Sequence, residues 1–306
     1  MNDYIYLIAG IVCAGLGGEL FVRGSVGLAR SLRIPPGIVG ATVAAFATSS
    51  PELAVSVSSA LAHVPQIALG DALGSNVVNV ALILALALTI AAIRCPRDSV
   101  KRDYTVALLL PVITGVLILD GQISRLDGAV LICIFVAWLI AVIIAAQRQR
   151  SATGNVLGER KLGKAIAECV VGLALLVSAG YLIVNGARGI AVALGIGEFV
   201  IGATVVAVGT SVPELATAII AKMRGHDEVG LGTVLGSNIF NGVFIIGVAA
   251  LIYPITVAWR DVTVALVFGF LAVAFTFPLR GGMIERRRGF LLLVLYAVYL
   301  GVILQR

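Results

Sequence analysis

Charged side chains are scarce. Asp, Glu, Lys and Arg make up 12% of the 306 residues, while 60% are hydrophobic. Soluble domains carry about 25% charged residues, so this composition points to the bilayer. Histidine is nearly absent, with only His63 and His226. The four cysteines, Cys13, Cys95, Cys133 and Cys169, are scattered without metal-ligand spacing and read as small apolar packing residues. Together these absences leave little support for histidine-based nucleophile chemistry or a thiolate metal centre. Period-2 alternation in short segments is also missing, which excludes a membrane β-barrel. The opening "MNDYIYLIAGIVCAGLGGELF" has no basic n-region and reads as a first span rather than a cleaved leader.

What is present is apolar length. A spanning helix needs roughly 20 mostly apolar residues. Ten candidate spans follow: 4–28, 36–62, 66–93, 103–121, 126–147, 164–188, 198–222, 229–255, 260–280 and 288–305. The expected class is therefore an all-α integral membrane protein. With loops assigned alternately to two sides, one side holds 18 of the 22 Lys and Arg residues. The other holds only Arg125, Arg188, Arg260 and Arg306. The positive-inside rule then places both termini outside the cell and the central linker in the cytoplasm. This distribution also accounts for the net charge of +6 without a nucleic-acid partner. Membrane lipid is the expected surrounding, and no protein partner is inferred.

The one long polar connection, "QRQRSATGNVLGERK", divides the chain into 1–147, a linker 148–163 and 164–306. Aligning 40–79 on 202–241 at an offset of 162 makes 18 of 40 positions identical. "GATVAAFATSSPEL" lies over "GATVVAVGTSVPEL", and "GDALGSNVVN" over "GTVLGSNIFN". Five spans per half force the second half to enter the membrane from the opposite side. Inverted repeats with midplane sites on interrupted helices are a transporter architecture.

Each first motif contains a helix breaker. Pro51 and Pro213 lack an amide hydrogen, so the carbonyls of Ala47 and Gly209 lose their helical donors. The resulting kink is expected to loosen the neighbouring carbonyls of Ala45, Thr48, Ala207 and Thr210. Ser49-x-x-Glu52 and Ser211-x-x-Glu214 also match a capping box. A cap alone, however, does not call for a carboxylate in mid-span, where it costs a few kcal/mol. No Lys or Arg lies in either motif, so the simplest compensation for Glu52 and Glu214 is a bound cation.

In the second motif Asp71, Ser75 and Asn79 share one helix face, as do Thr233, Ser237 and Asn241. Gly70, Gly74, Gly232 and Gly236 allow close helix approach. Asn76 and Asn238 point off the stripe and suit interhelical hydrogen bonding. The donor inventory is all oxygen, which favours Ca²⁺, Na⁺ or Mn²⁺ over Zn²⁺ or Cu⁺. Two carboxylates can neutralise one divalent ion, or hold monovalent ions or protons in its place. Such exchange of occupants is a physical basis for antiport.

At these residues the chain resembles the cation/calcium exchanger superfamily, and most closely the prokaryotic sodium/calcium exchangers. The resemblance covers essentially the whole chain. It implies electrogenic Na⁺/Ca²⁺ antiport by alternating access, with the first and sixth spans sliding over a rigid core. Glu52 and Glu214 would be the shared carboxylates, and Thr48 and Thr210 would offer calcium-coordinating backbone oxygens. Ala45, Ser75, Ala207 and Ser237 would line sodium sites, with Asn79 and Asn241 at the centre and Ser49 and Ser211 beside the glutamates. Three departures stand out. Ala47 replaces a usual Gly, Asp71 and Thr233 replace a common Asn, and Asn241 replaces an Asp found in some prokaryotic members. Asp71 reads equally as an entry ligand or as a helix-start charge.

Glu19 has Tyr181 as its repeat partner and reads as a snorkelling ion pair with Arg23, one turn on. A proton-driven or potassium-dependent exchanger is the alternative reading. A passive channel fits the two antiparallel half-sites less well. Enzymatic activity is not expected, because Ser49 and Ser211 have no suitably placed His or Lys. No cofactor is expected either, and Ca²⁺ and Na⁺ enter as transported ions.

Overall fold

The computed structural model describes residues 2–32, 34–95, 100–152, 162–193, 203–204, 207–278 and 282–305, and nearly all of these are helical. The helices are α1 (Asn2–Leu32), α2 (Pro36–Thr48), α3 (Ser50–Leu61), α4 (Pro65–Ile90), α5 (Thr105–Leu117) and α6 (Arg125–Ala152). They continue as α7 (Leu162–Ala193), α8 (Ala207–Thr210), α9 (Val212–Met223), α10 (Asp227–Ile252), α11 (Trp259–Thr276) and α12 (Arg286–Ile303). Four two-residue strands cap the bundle: β1 (Ile93–Arg94), β2 (Gln122–Ile123), β3 (Ile255–Thr256) and β4 (Met283–Ile284).

Among the described residues, five helices are long and apolar enough to cross a membrane, and α2 with α3 makes a sixth if that bent pair is one span. The other helices are shorter or carry charge at an end. Thr105–Leu117 has 13 residues, and α12 opens on Arg286, Arg287 and Arg288. Residues 153–161, most of the sequence-derived linker, lie outside the described residues.

Burial separates the helices into a centre and a periphery. In α4 and α10, 78% of the most apolar stretch is buried, against 17% in α6. Val130, Val136, Ile140 and Ile143 of α6 are exposed. An apolar face of that length suits lipid rather than water.

The motif helices break at Ser49 (φ −86°, ψ 13°) and Ser211 (φ −81°, ψ 8°). Each break is followed by a proline in the first turn, where its missing N–H costs nothing. The α2–α3 break bends the chain by 43°. Beyond it, α4 and α10 each contain a stretch of π-helix, Val78–Leu84 and Phe240–Ile245. Such insertions are uncommon and often mark functional sites. Phe240 sits at the start of the second, between Phe46 (5.1 Å) and Phe244 (4.7 Å), with Phe135 of α6 at 5.7 Å.

Glycine lets backbones touch beside the motifs. A Cβ on Gly74 would lie 2.6 Å from the Ala203 carbonyl oxygen, and one on Gly236 only 2.3 Å from that of Ala41. At the ends of the bundle, β1 pairs with β4 (Ile93↔Ile284) and β2 with β3 (Ile123↔Ile255). The Cys95 amide donates to the Gly282 carbonyl (2.7 Å), and the Val257 amide to that of Gly121 (3.0 Å). Both glycines have positive φ, +68° and +89°. Ala at either position is expected to cost about 1–2 kcal/mol for the left-handed backbone. Thermal unfolding should show the larger loss for Gly282→Ala, because the new Cβ also meets the Cys95 carbonyl at 3.0 Å, whereas nothing lies within 4 Å of one on Gly121.

Candidate cation site

Glu52 and Glu214 stand in the first turns of α3 and α9, and both are fully buried. The breaks before them are not tied off by side-chain caps, since neither Ser49 nor Ser211 makes a capping bond. Their hydroxyls cross to the other half instead. Ser49 Oγ donates to Glu214 Oε1 (3.0 Å), and Ser211 Oγ to Glu52 Oε1 (3.4 Å). Ser237 Oγ of α10 also donates to Glu214 Oε1 (3.0 Å). The capping-box alternative is therefore not what forms here: these serines bond the opposite glutamate.

Asp71 is not a helix-start charge. It lies nearly two turns inside α4, fully buried, and its Oδ1 accepts Thr210 Oγ1 (3.2 Å) and Ser75 Oγ (3.5 Å). The face predicted from the i, i+4 spacing thus exists on α4, and it meets the break of the second motif. Ser75 Oγ also reaches the Ala207 carbonyl (3.5 Å). Glu52 lies within electrostatic reach of both Glu214 and Asp71. One oxygen of each acid (Glu52 Oε2, Glu214 Oε2 and Asp71 Oδ2) has no hydrogen-bond partner among the described residues.

Two of the loosened carbonyls expected from the prolines keep a helical donor. Ala45 O accepts the Ser49 amide (3.0 Å), and Ala207 O accepts the Ser211 amide (3.1 Å). The kink begins after these bonds, because the proline removes the donor for Ala47 and Gly209 rather than for residues two further back. Thr48 Oγ1 folds back onto Ala44 O (3.0 Å) and also lies within hydrogen-bond reach of the Glu214 carboxylate, so its hydroxyl faces both its own helix and the other half. Thr233 likewise bonds Val229 O within α10 (2.9 Å) and does not join Asp71.

The asparagines divide. Asn76 Nδ2 donates to Asn238 O (3.2 Å), and Asn238 Nδ2 returns the bond to Asn76 O (3.1 Å), stapling α4 to α10. Asn79 Nδ2 donates to Asn238 Oδ1 (3.0 Å). Asn79 Oδ1 and both side-chain polar atoms of Asn241 are buried without partners among the described residues. Ser56 and Thr217 went unnoticed in the sequence. They follow Glu52 and Glu214 by one turn, fully buried with unpartnered hydroxyls. Their i+4 and i+3 spacing from the acids was the available signal. Glu19 does pair with Arg23 (2.8 Å), and it also binds Arg224 beyond α9 (2.8 Å). The Tyr181 side chain lies outside the described residues.

Among the described residues no three His, Cys, Asp or Glu side chains gather as one metal cage. The donors are mixed: carboxylates, hydroxyls, amides and second lone pairs of carbonyls. Hard cations such as Ca²⁺ take this chemistry. No Lys or Arg contributes a hydrogen bond or ion pair to these acids among the described contacts.

Fold and site together define a multi-pass helical membrane protein with acids buried where lipid-depth helices break. The family model for sodium/calcium exchanger proteins matches residues 3–144 and again 164–305, and the chain belongs to that family. It is 36% identical to the inner membrane protein YrbG of Escherichia coli (strain K12), over 81% of this chain and 79% of that one. It is 32% identical to the putative antiporter CaxA of Alkalimonas amylolytica, over 82% and 81%. A solved structure of the sodium-calcium exchanger NCX_Mj, soaked with Na⁺ and Sr²⁺, superposes with a TM-score of 0.83 at 30% identity, covering 98% of both chains. The family is one of cation/calcium exchangers rather than of catalytic enzymes.

Proposed function

We propose that the protein is a ten-span antiporter that exchanges Na⁺ for Ca²⁺ by alternating access, moving net charge. The carrying observation is the crosswise pair of bonds, Ser49 to Glu214 and Ser211 to Glu52, which joins the two halves in one site without a compensating base. Glu52 and Glu214 serve as the shared carboxylates. Thr48, Thr210, Ala45 and Ala207 offer backbone oxygens, and Ser75, Ser237, Asn79, Asn241 and Asp71 complete the wall.

The inverted repeat, 1–147 and 164–306, is supported by exchange symmetry. Adding 162 to Ile93 gives Ile255, and subtracting 161 from Ile284 gives Ile123, so the β1–β4 register maps onto that of β3 and β2. The Asn76–Asn238 staple maps onto itself in the same way. The two family matches fall on the same division. The strand pairs also gather Arg94 with the loop before Arg286 at one end and residues 122 and 256 at the other. This agrees with a cytoplasmic Arg-rich end and extracellular termini.

Ions bind in turn because the buried acids need positive charge in every occluded state. One Ca²⁺ carries the charge of two Na⁺, so a third Na⁺ exchanged for it moves net charge and makes transport electrogenic. Reconstituted vesicles test this directly. A Na⁺ gradient should drive Ca²⁺ uptake and build a membrane potential, whereas K⁺ and H⁺ gradients should not. A response to pH without one to Na⁺ would replace this reading with proton-driven exchange, for which Asp71 supplies an extra acid.

A further inference from the structure

A polar cavity lies away from the acids, between α1 and the turn joining α9 to α10. Its volume is about 210 Å³, and Glu19, Arg23, Arg30, Arg224 and His226 supply its polar lining, with Val22 and Val26 as apolar wall. Three guanidiniums therefore face one carboxylate. Glu19 is engaged by Arg23 (2.8 Å) and Arg224 (2.8 Å), and among the lining residues the basic groups outnumber this one acid. The neighbouring acid Asp227 does not correct this, because it holds Lys222 at 3.0 Å. Glu228 packs against Gly37.

His226 directly precedes α10, a 26-residue helix, so the positive end of the helix dipole adds to the same field. Burial and the Arg30 charge hold the His226 ring below the ordinary histidine range. Arg23 and Arg224 are about half exposed, so water tempers their repulsion, but the field at the cavity mouth still draws an anion. Arg forks match phosphate oxygens geometrically. The cavity is smaller than the roughly 300 Å³ at which drug-sized sites begin, so it suits one phosphate with a small substituent.

We propose that this cavity binds a phosphate-ester anion, the headgroup of an anionic phospholipid. Leu16, exposed on α1 one turn from Glu19, continues the wall into an apolar surface where acyl chains could lie. Basic pockets between membrane helices take anionic headgroups in this way. A ligand held from both walls would tie α1 to the α9–α10 turn.

The test uses the full chain in lipid nanodiscs containing phosphatidylglycerol and phosphatidylcholine. Native mass spectrometry should find phosphatidylglycerol retained in preference to phosphatidylcholine. The double variant Arg30→Gln/His226→Gln, which spares the Glu19 ion pairs, should weaken that retention about tenfold. Arg286→Gln, an exposed arginine outside the cavity, should leave it unchanged. Phosphatidylcholine-only discs titrated with inorganic phosphate separate the two sources of the ligand. Saturable stabilisation by phosphate that the double variant abolishes, without lipid retention, keeps the phosphate site and assigns it a soluble ligand. Loss of retention equally in Arg286→Gln would reduce the effect to bulk charge and overturn the proposal. So would a wild-type protein that shows neither lipid preference nor phosphate response.

Discussion

Glu52→Gln and Glu214→Gln are each expected to lower Ca²⁺ transport by a factor of 100 or more while the protein still folds. Glutamine keeps the shape, and its carbonyl can still accept the serine hydroxyl that crosses from the other half, Ser211 for Glu52 and Ser49 for Glu214. What is lost is the charge. Removing one partner of a buried, oppositely charged set costs about 3–5 kcal/mol, and each 1.4 kcal/mol is about tenfold in affinity. Stability should move the opposite way in ion-free buffer. An ionised acid buried without a base is a burden on the folded state, so its neutral replacement should raise the unfolding temperature. The Ca²⁺-dependent rise, which scales with ligand occupancy, should shrink in the same variants. Transport at wild-type rates by either variant, with both unfolding curves unchanged, would remove these acids from the site.

The second large effect concerns a pair of glycines with no polar group. Gly236→Val should impair transport more than stability, and Gly74→Val should follow it. A Cβ at Gly236 lands 2.3 Å from Ala41 O and 2.7 Å from Ala45 Cβ, and one at Gly74 lands 2.6 Å from Ala203 O. These are backbone and short side-chain atoms, which cannot rotate aside, so α2 or α10 must shift bodily. Overpacking of this kind costs about 1–3 kcal/mol. The shift would carry the Ala45 carbonyl with it, and the Ala207 carbonyl in the other half, out of register with the acids. Gly301→Val is the control, since nothing lies within 4 Å of its Cβ position. Initial rates of Ca²⁺ uptake beside unfolding temperatures measure the difference. Wild-type uptake by Gly236→Val would show that this contact does not hold the site.

Much of this was legible without coordinates. The membrane class follows from composition, and the duplicated motifs from an ungapped alignment. The breaks at Ser49 and Ser211 follow from Pro51 and Pro213, because a missing amide hydrogen acts on its own helix. The stripe of Asp71, Ser75 and Asn79 follows from helical spacing and appears as the Ser75–Asp71 bond. The π-helical stretches carried no such signal. Their register depends on how α4 and α10 press together, and nothing in "NVVNVALIL" or "NIFNGVFII" announces it.

The capping box shows where local reasoning stops. Ser-x-x-Glu is compatible with a cap whenever the chain is considered alone, and only the opposing half offers Ser49 a better acceptor. Asp71 was balanced between two roles for the same reason, and only its bond with Thr210, 139 residues away, takes it out of the helix-start role. By itself the sequence determined the solvent, the repeat, the helix breaks and the all-oxygen donor set, since each depends on the chemistry of neighbouring residues. Tertiary structure alone decided which serine meets which glutamate, that Asp71 joins them, and that Asn76 and Asn238 form a staple. Those outcomes depend on how two distant helices are rotated against each other, and spacing within one helix does not encode that rotation.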